Sequence, residues 1–184
     1  MPPMPASEKR QRLLAIIRDK SLLREGDFRL ASGQASNYFF DMKKTVFDPE
    51  GAALLADLLF EHIRDEAVDC IGGLETGAIP IVAALVRHSW PEKPLRGFFV
   101  RKAGKGHGTD KMIDGHLNEG ARVILFEDVT TTGGSVMQAV RETRALGCEI
   151  VKVVTVVDRL EGAQQNFAAE GLRFEALFTR ADFT

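Results

Sequence analysis

An α/β fold, built on a parallel sheet with helices on both faces, is what this sequence predicts, and three observations carry that prediction. From residue 68 onward, short apolar runs alternate with longer amphipathic ones, the pattern of strands joined through helices. One run, residues 150–157, is continuous and β-branched, as in a strand buried on both faces. Three of the turns that follow apolar runs are rich in glycine and in small or charged polar residues. In sheets of this class ligands bind beyond the carboxyl ends of the strands, so those turns are where function is to be sought.

The elements follow in order. Leu13, Leu14, Ile16 and Ile17, then Leu22 and Leu23, fall at helical spacing with charged residues between them, which predicts an amphipathic first helix. Residues 28–41 hold a glycine in mid-run and aromatics at the end, and fit two short strands joined by a turn around Ser32 and Gly33. Asp48-Pro49-Glu50 predicts a helix start, with Asp48 as N-cap and proline at the first helical position. The helix it opens carries Leu54, Leu55, Leu58, Leu59 and Ile63 on one face. Strands are then predicted over 68–71, 95–100, 122–126, 150–157 and 174–178. Helices are predicted over 77–88 and 135–146, the second ended by Gly147.

Composition narrows the function classes. The chain has 184 residues, 45% hydrophobic and 27% charged, which fits one soluble domain spanning 1–184 with no need of a disulfide or metal to fold. Cys70 and Cys148 lie inside apolar stretches without CxxC spacing and read as buried, reduced thiols. A net charge of −2 gives no field that would gather nucleic acid. No apolar run approaches the roughly 18 residues of a membrane span, and the Pro-rich start, MPPMPASEKR, reads as a frayed lead-in without a signal-peptide core. A cytoplasmic protein with small-molecule partners, and with neither nucleic acid nor membrane, is expected.

The most informative turn is in VILFEDVTTTGGS, residues 123–135. An apolar strand ends in two acids, Glu127 and Asp128. After Val129 comes a polar turn of small residues, Thr130-Thr131-Thr132-Gly133-Gly134-Ser135, and a helix begins. Small residues let backbone N–H groups converge, hydroxyls add donors and a helix N-terminus adds positive potential, which together suit an anion such as phosphate. Ionised carboxylates only accept hydrogen bonds, so the two acids would face neighbouring sugar hydroxyls. An ordinary N-cap explains one or two of these residues, not eight in succession.

Two further turns share its character. In GGLETGAIP, residues 72–80, Gly72, Gly73 and Gly77 permit close backbone approach, and Pro80 enters the first turn of a helix. In residues 98–115 a strand gives way to a glycine-hinged segment with Arg101, Lys102, Lys105, His107 and Lys111. Few apolar residues anchor it, so it is expected to be mobile and to suit a lid over a polyanion.

The 123–135 segment resembles the phosphoribosyl-diphosphate binding motif of the type I phosphoribosyltransferases. That resemblance implies their parallel sheet flanked by helices, with an N-terminal hood (about 1–45) over a core (about 46–184) and a flexible catalytic loop. Beside it, the 72–80 turn is similar to the superfamily's pyrophosphate loop, which implies that backbone groups of Thr76 and Gly77 meet the diphosphate and that a cis peptide lies at Glu75–Thr76. Arg101-Lys102-x-x-Lys105-x-His107-Gly108 resembles the catalytic loop of the orotate phosphoribosyltransferases. FRLASGQASNYFFD resembles that family's hood segment, and Asp158-Arg159 its Asp-Arg pair. Two positions depart from the pattern: Ala31 stands where many members have lysine, and Gly104 where an acid is common.

The resemblance implies transfer of the phosphoribosyl group from 5-phosphoribosyl 1-diphosphate to orotate, with Mg²⁺ held mainly through substrate oxygens rather than by a protein cage. It implies that Glu127 and Asp128 orient the ribose hydroxyls and that Val129 to Ser135 bind the 5′-phosphate. Thr131 and Arg159 would hold orotate, and Arg101, Lys102, Lys105 and His107 would act on the diphosphate. A homodimer is implied, with the basic loop reaching the neighbouring subunit's site. The alternatives are a superfamily enzyme for another base, such as a purine, and a non-catalytic regulator that senses the ribosyl donor. Arg159 and the basic loop argue against the first, and the negative charge against the second.

Overall fold

The computed structural model describes residues 4–24, 28–29, 35–104 and 111–183. Lys105 and His107, the Ser32–Gly33 turn and Ala31 therefore lie outside the described residues. Helix α1 (Ala6–Ile16) begins directly after Pro5, so much of the predicted lead-in is helical, and it continues into a π-helical turn over Ile17–Ser21. Leu22 and Leu23, predicted to extend that helix, instead form strand β1 (Leu22–Leu23), antiparallel to β4 (Phe39–Phe40). The spacing of the leucines fits either state over so short a span, and the cross-strand partners decide it. The predicted hairpin is present as β2 (Phe28–Arg29) against β3 (Ala35–Ser36).

A short α2 (Lys43–Val46) leads into α3 (Pro49–Ile63), where the Asp48 carboxylate accepts from Gly51 N–H at 2.9 Å as the N-cap. The alternating half then follows: β5 (Cys70–Gly72), α4 (Ala78–Ser89), β6 (Arg96–Val100), β7 (Ile113–Gly115), β8 (Arg122–Thr130), α5 (Gly134–Ala145), β9 (Glu149–Asp158), α6 (Ala163–Ala169) and β10 (Phe174–Thr179). Gly147, at φ +70°, lies just beyond the end of α5 as predicted, its N–H on the Arg144 carbonyl.

These strands make one sheet in the order β10-β9-β8-β5-β6-β7, parallel except for β7, which runs antiparallel to β6 at the edge. The expected parallel sheet is present with that one addition. Side chains of β8 alternate between two cores, as successive strand residues must. Ile124 and Phe126 join Leu59, Ile63 and Ile81 on the side of α3 and α4. Val123 and Leu125 join Val136, Val140 and Phe167 on the side of α5 and α6. Cys70 and Cys148 are buried free thiols, and burial pushes the Cys70 thiol up to about 11. No helix among the described residues is long and apolar enough to cross a membrane.

Candidate active site at the carboxyl end of the sheet

β8 is four residues longer than its apolar run suggests. It continues through Glu127 and Asp128 to Thr130, because pairing with β9 persists to Thr130↔Asp158. The two acids are thus fixed on a strand rather than carried on a turn. Glu127 is only 7% exposed. Burial, and then the adjacent Asp128 carboxylate, push its pKa well above the ordinary glutamate value. The Asp128 carboxylate accepts from Val129 N–H at 2.8 Å.

Beyond the strand, Gly133 adopts φ +86°, a conformation that favours glycine, and a Cβ there would meet the Phe167 ring at 2.6 Å. That turn delivers the chain into α5 from Gly134. Among the described residues, the backbone N–H groups of Thr132, Gly133, Gly134 and Ser135 have no hydrogen-bond acceptor. The Thr132 carbonyl, by contrast, accepts from Asn166 Nδ2 at 2.8 Å. The turn is held by its carbonyl side and leaves its donors open, the arrangement of an anion nest at a helix N-terminus.

The 73–77 turn faces these residues. Its Glu75–Thr76 peptide is cis, as the resemblance implies. A Cβ on Gly77 would come within 2.6 Å of Asp128 Oδ1, so a larger residue there would have to displace the Asp128 carboxylate. Between them lies a cavity of about 280 Å³. Thr76, Gly77, Glu127, Asp128, Val129, Thr131 and Ser135 line it, together with Lys102 from the start of the basic segment. Lys43, which the sequence reading did not single out, and Glu75, which it named only in the cis peptide, also line it, as do Phe39 and Phe40. Lys43 sits on the short α2 next to a second lysine, and nothing in the local pattern separates the two.

The remaining described candidates are not among the lining residues. Thr130 is 1% exposed, and its Oγ1 has no partner among the described residues. The Arg101 guanidinium pairs with Asp114, Nε to Oδ2 at 2.6 Å. Arg159 is buried, with its Nε 3.0 Å from Glu161 Oε1 and 3.2 Å from the Tyr38 hydroxyl, and its guanidinium 4.2 Å from the centre of the Tyr38 ring. Asp158 before it accepts from Leu160 N–H at 2.9 Å, and burial raises its carboxyl pKa.

The family model of the phosphoribosyl transferase domain matches residues 43–168. The orotate phosphoribosyltransferase of Rhodopseudomonas palustris (strain BisB5) is 49% identical over 98% of both chains. Two solved structures of Mycobacterium tuberculosis H37Rv orotate phosphoribosyltransferase superpose on this fold. The Fe(III) dicitrate complex has a TM-score of 0.83 at 35% identity, covering 95% of this chain and 98% of the other. The complex with 5-phospho-alpha-D-ribosyl 1-diphosphate has a TM-score of 0.80 at 33% identity, with the same coverage. At that identity over nearly the whole of both chains, and with the domain model matching most of its length, this chain belongs to the orotate phosphoribosyltransferases.

Proposed function

We infer that this chain transfers the 5-phosphoribosyl group of 5-phosphoribosyl 1-diphosphate to orotate, giving orotidine 5′-phosphate and pyrophosphate in pyrimidine biosynthesis. The observation that carries the reading is the cavity at the end of β8, where the Glu127 and Asp128 carboxylates, Lys102 and the start of the donor-rich turn's helix at Ser135 meet. The solved relative in complex with the ribosyl donor supports it.

Displacement at the anomeric carbon passes through a state with oxocarbenium character. The site therefore has to hold the sugar and steady the departing diphosphate more than move protons. Glu127 and Asp128 would accept from the ribose 2′- and 3′-hydroxyls. The segment from Val129 to Ser135 would bind the 5′-phosphate through its open N–H groups. Thr76 and Gly77 would offer backbone groups to the diphosphate, and Arg101, Lys102, Lys105 and His107 would neutralise it. Thr131 and Arg159 would hold orotate, Arg159 meeting its carboxylate in the forked geometry that lysine cannot copy.

Mg²⁺ fits this donor set as a substrate-borne ion. Glu127 and Asp128 offer the hard oxygens it favours, while among the described residues no group of three or more His, Cys, Asp or Glu could hold a metal ion. When bound it would neutralise diphosphate charge. We further propose one working domain over 1–184, with hood residues from about 1–45 above the core. It would act in the cytoplasm as a homodimer, each basic loop serving the neighbouring subunit's site.

The test is the fall in orotate absorbance with the purified protein, the ribosyl donor and Mg²⁺, beside a panel of purine bases. Turnover of orotate alone is expected. No loss of orotate, or turnover of a purine instead, would overturn the assignment.

A further inference from the structure

Lys102 is the one described cation of the 101–108 segment that lines the cavity. Its backbone is held from two sides. The Glu75 carboxylate, on the diphosphate turn, accepts from Lys102 N–H at 2.8 Å. From the opposite side, Gln138 Nε2 donates to the carbonyls of Arg101, at 3.1 Å, and Lys102, at 3.0 Å. Gln138 lies on α5 three residues after Ser135, so the two share one helix face, with Ser135 toward the cavity and Gln138 about one turn behind it. The strand before Lys102 is tied to the same turn, since Val100 N–H donates to the Gly73 carbonyl and Glu75 N–H to the Val100 carbonyl, each at 2.8 Å.

We propose that Gln138 is a positioning residue for the reaction: it ties the start of the basic segment to the phosphate-binding helix and sets Lys102 against the diphosphate. The inference rests on the reading of the cavity as the ribosyl-donor site. The chemistry of the side chain fits the task. A primary amide has two N–H donors on one nitrogen and so can bind two successive carbonyls at once. A carboxylate of the same length has no donor, and a leucine has neither donor nor acceptor. Through these two bonds and the one from Lys102 N–H to Glu75, the helix that would hold the 5′-phosphate, the turn that would hold the diphosphate and the lysine between them become one assembly. Catalysis by positioning is sensitive to displacements of an ångström, so loosening this tie should weaken the reaction without touching a substrate directly.

Gln138→Leu and Gln138→Glu are to be measured alone and with Lys102→Ala, following kcat/KM for each substrate and Tm. Each single Gln138 variant is expected to lose about tenfold in kcat/KM for the ribosyl donor, the scale of two modest hydrogen bonds. KM for orotate and Tm should stay at the wild-type values. In the Lys102→Ala background the Gln138 changes should add less than about twofold, because the residue acts through that lysine. Wild-type donor kinetics in both Gln138 variants, a full additive loss beside Lys102→Ala, or an equal loss on both substrates with a lower Tm would each overturn the proposal. If Lys102→Ala alone leaves turnover unchanged, the donor-site reading fails, and the Gln138 proposal with it.

Discussion

Two buried charges on neighbouring strands mark opposite uses of the same sheet. Lys152 on β9 pairs with Ile124 of β8, and Glu127 of β8 with Thr155 of β9, so the two lie about 10 Å apart along the strands. Lys152 is fully answered. Its ammonium donates to the His62 carbonyl and to Glu175 Oε2, each at 2.8 Å, and sits 3.1 Å from Glu66 Oε1. The hydrogen bond from Lys152 holds Glu66 below its ordinary pKa. Burial pushes Glu175 up, yet Lys152 brings it below its ordinary value as well. Glu127 is also buried, but there burial and the like charge of Asp128 outweigh the attraction of Lys102, and its pKa moves up instead. A buried charge with its counterions in place serves the fold. One whose burial and like-charged neighbour outweigh its counterion is the kind we propose a ligand would answer.

The contrast can be broken from the Lys152 side first. Lys152→Met removes the cation and leaves two carboxylates without this buried counterion. Because those carboxylates keep 22% and 32% of their side-chain surface exposed, the expected cost is at the low end for a broken buried pair, about 3 kcal/mol, or roughly 10 °C in Tm. Orotate turnover at 25 °C should be retained. The pH dependence has a definite sign: with the folded pKa values of Glu66 and Glu175 lowered, their contribution is complete above the ordinary glutamate value and is lost as pH falls through the folded values. Urea midpoints across the acid range should show wild type losing this increment while Lys152→Met does not. An unchanged acid slope in the variant would contradict the assignment.

Arg159 sharpens the boundary of the rule, since it stands at the functional end yet pairs with Glu161. Replacement by alanine should raise KM for orotate by about 100-fold, the scale of a charge-assisted forked contact, while the ribosyl donor still binds by calorimetry. Equal loss of both ligands would place Arg159 with Lys152 among the structural charges.

The same contrast explains what was legible in the sequence. The central strands and the helices that cover them could be read because apolar periodicity is a local signal of burial, and the phosphate turn because eight unusual residues stand together. The short hood strand Leu22–Leu23 and the edge strand Ile113–Gly115 could not, because their partners, Phe39–Phe40 and Phe98–Val100, lie far along the chain. The extension of β8 through Glu127 to Thr130 also runs against local preference, since only the ladder to β9 keeps two acids in a strand. In the site, Lys43, Gln138 and the side chain of Glu75 went unread for the same reason. Each is an ordinary polar residue by sequence and acquires meaning from what it faces.

The smallest expected effect is the most direct test. A raised folded pKa means that Glu127 contributes stability at low pH and forfeits it as pH rises through the folded value, so above that value the charged form is a burden on the ligand-free protein. Thermal melts of wild type and Glu127→Gln at alkaline pH, with and without the ribosyl donor and Mg²⁺, read both halves of the claim. The variant should melt a few degrees higher than wild type when ligand-free and gain much less from the donor. A variant that melts lower without ligand, or that gains as much from the donor as wild type does, would contradict the account of Glu127 as a charge held ready for the sugar.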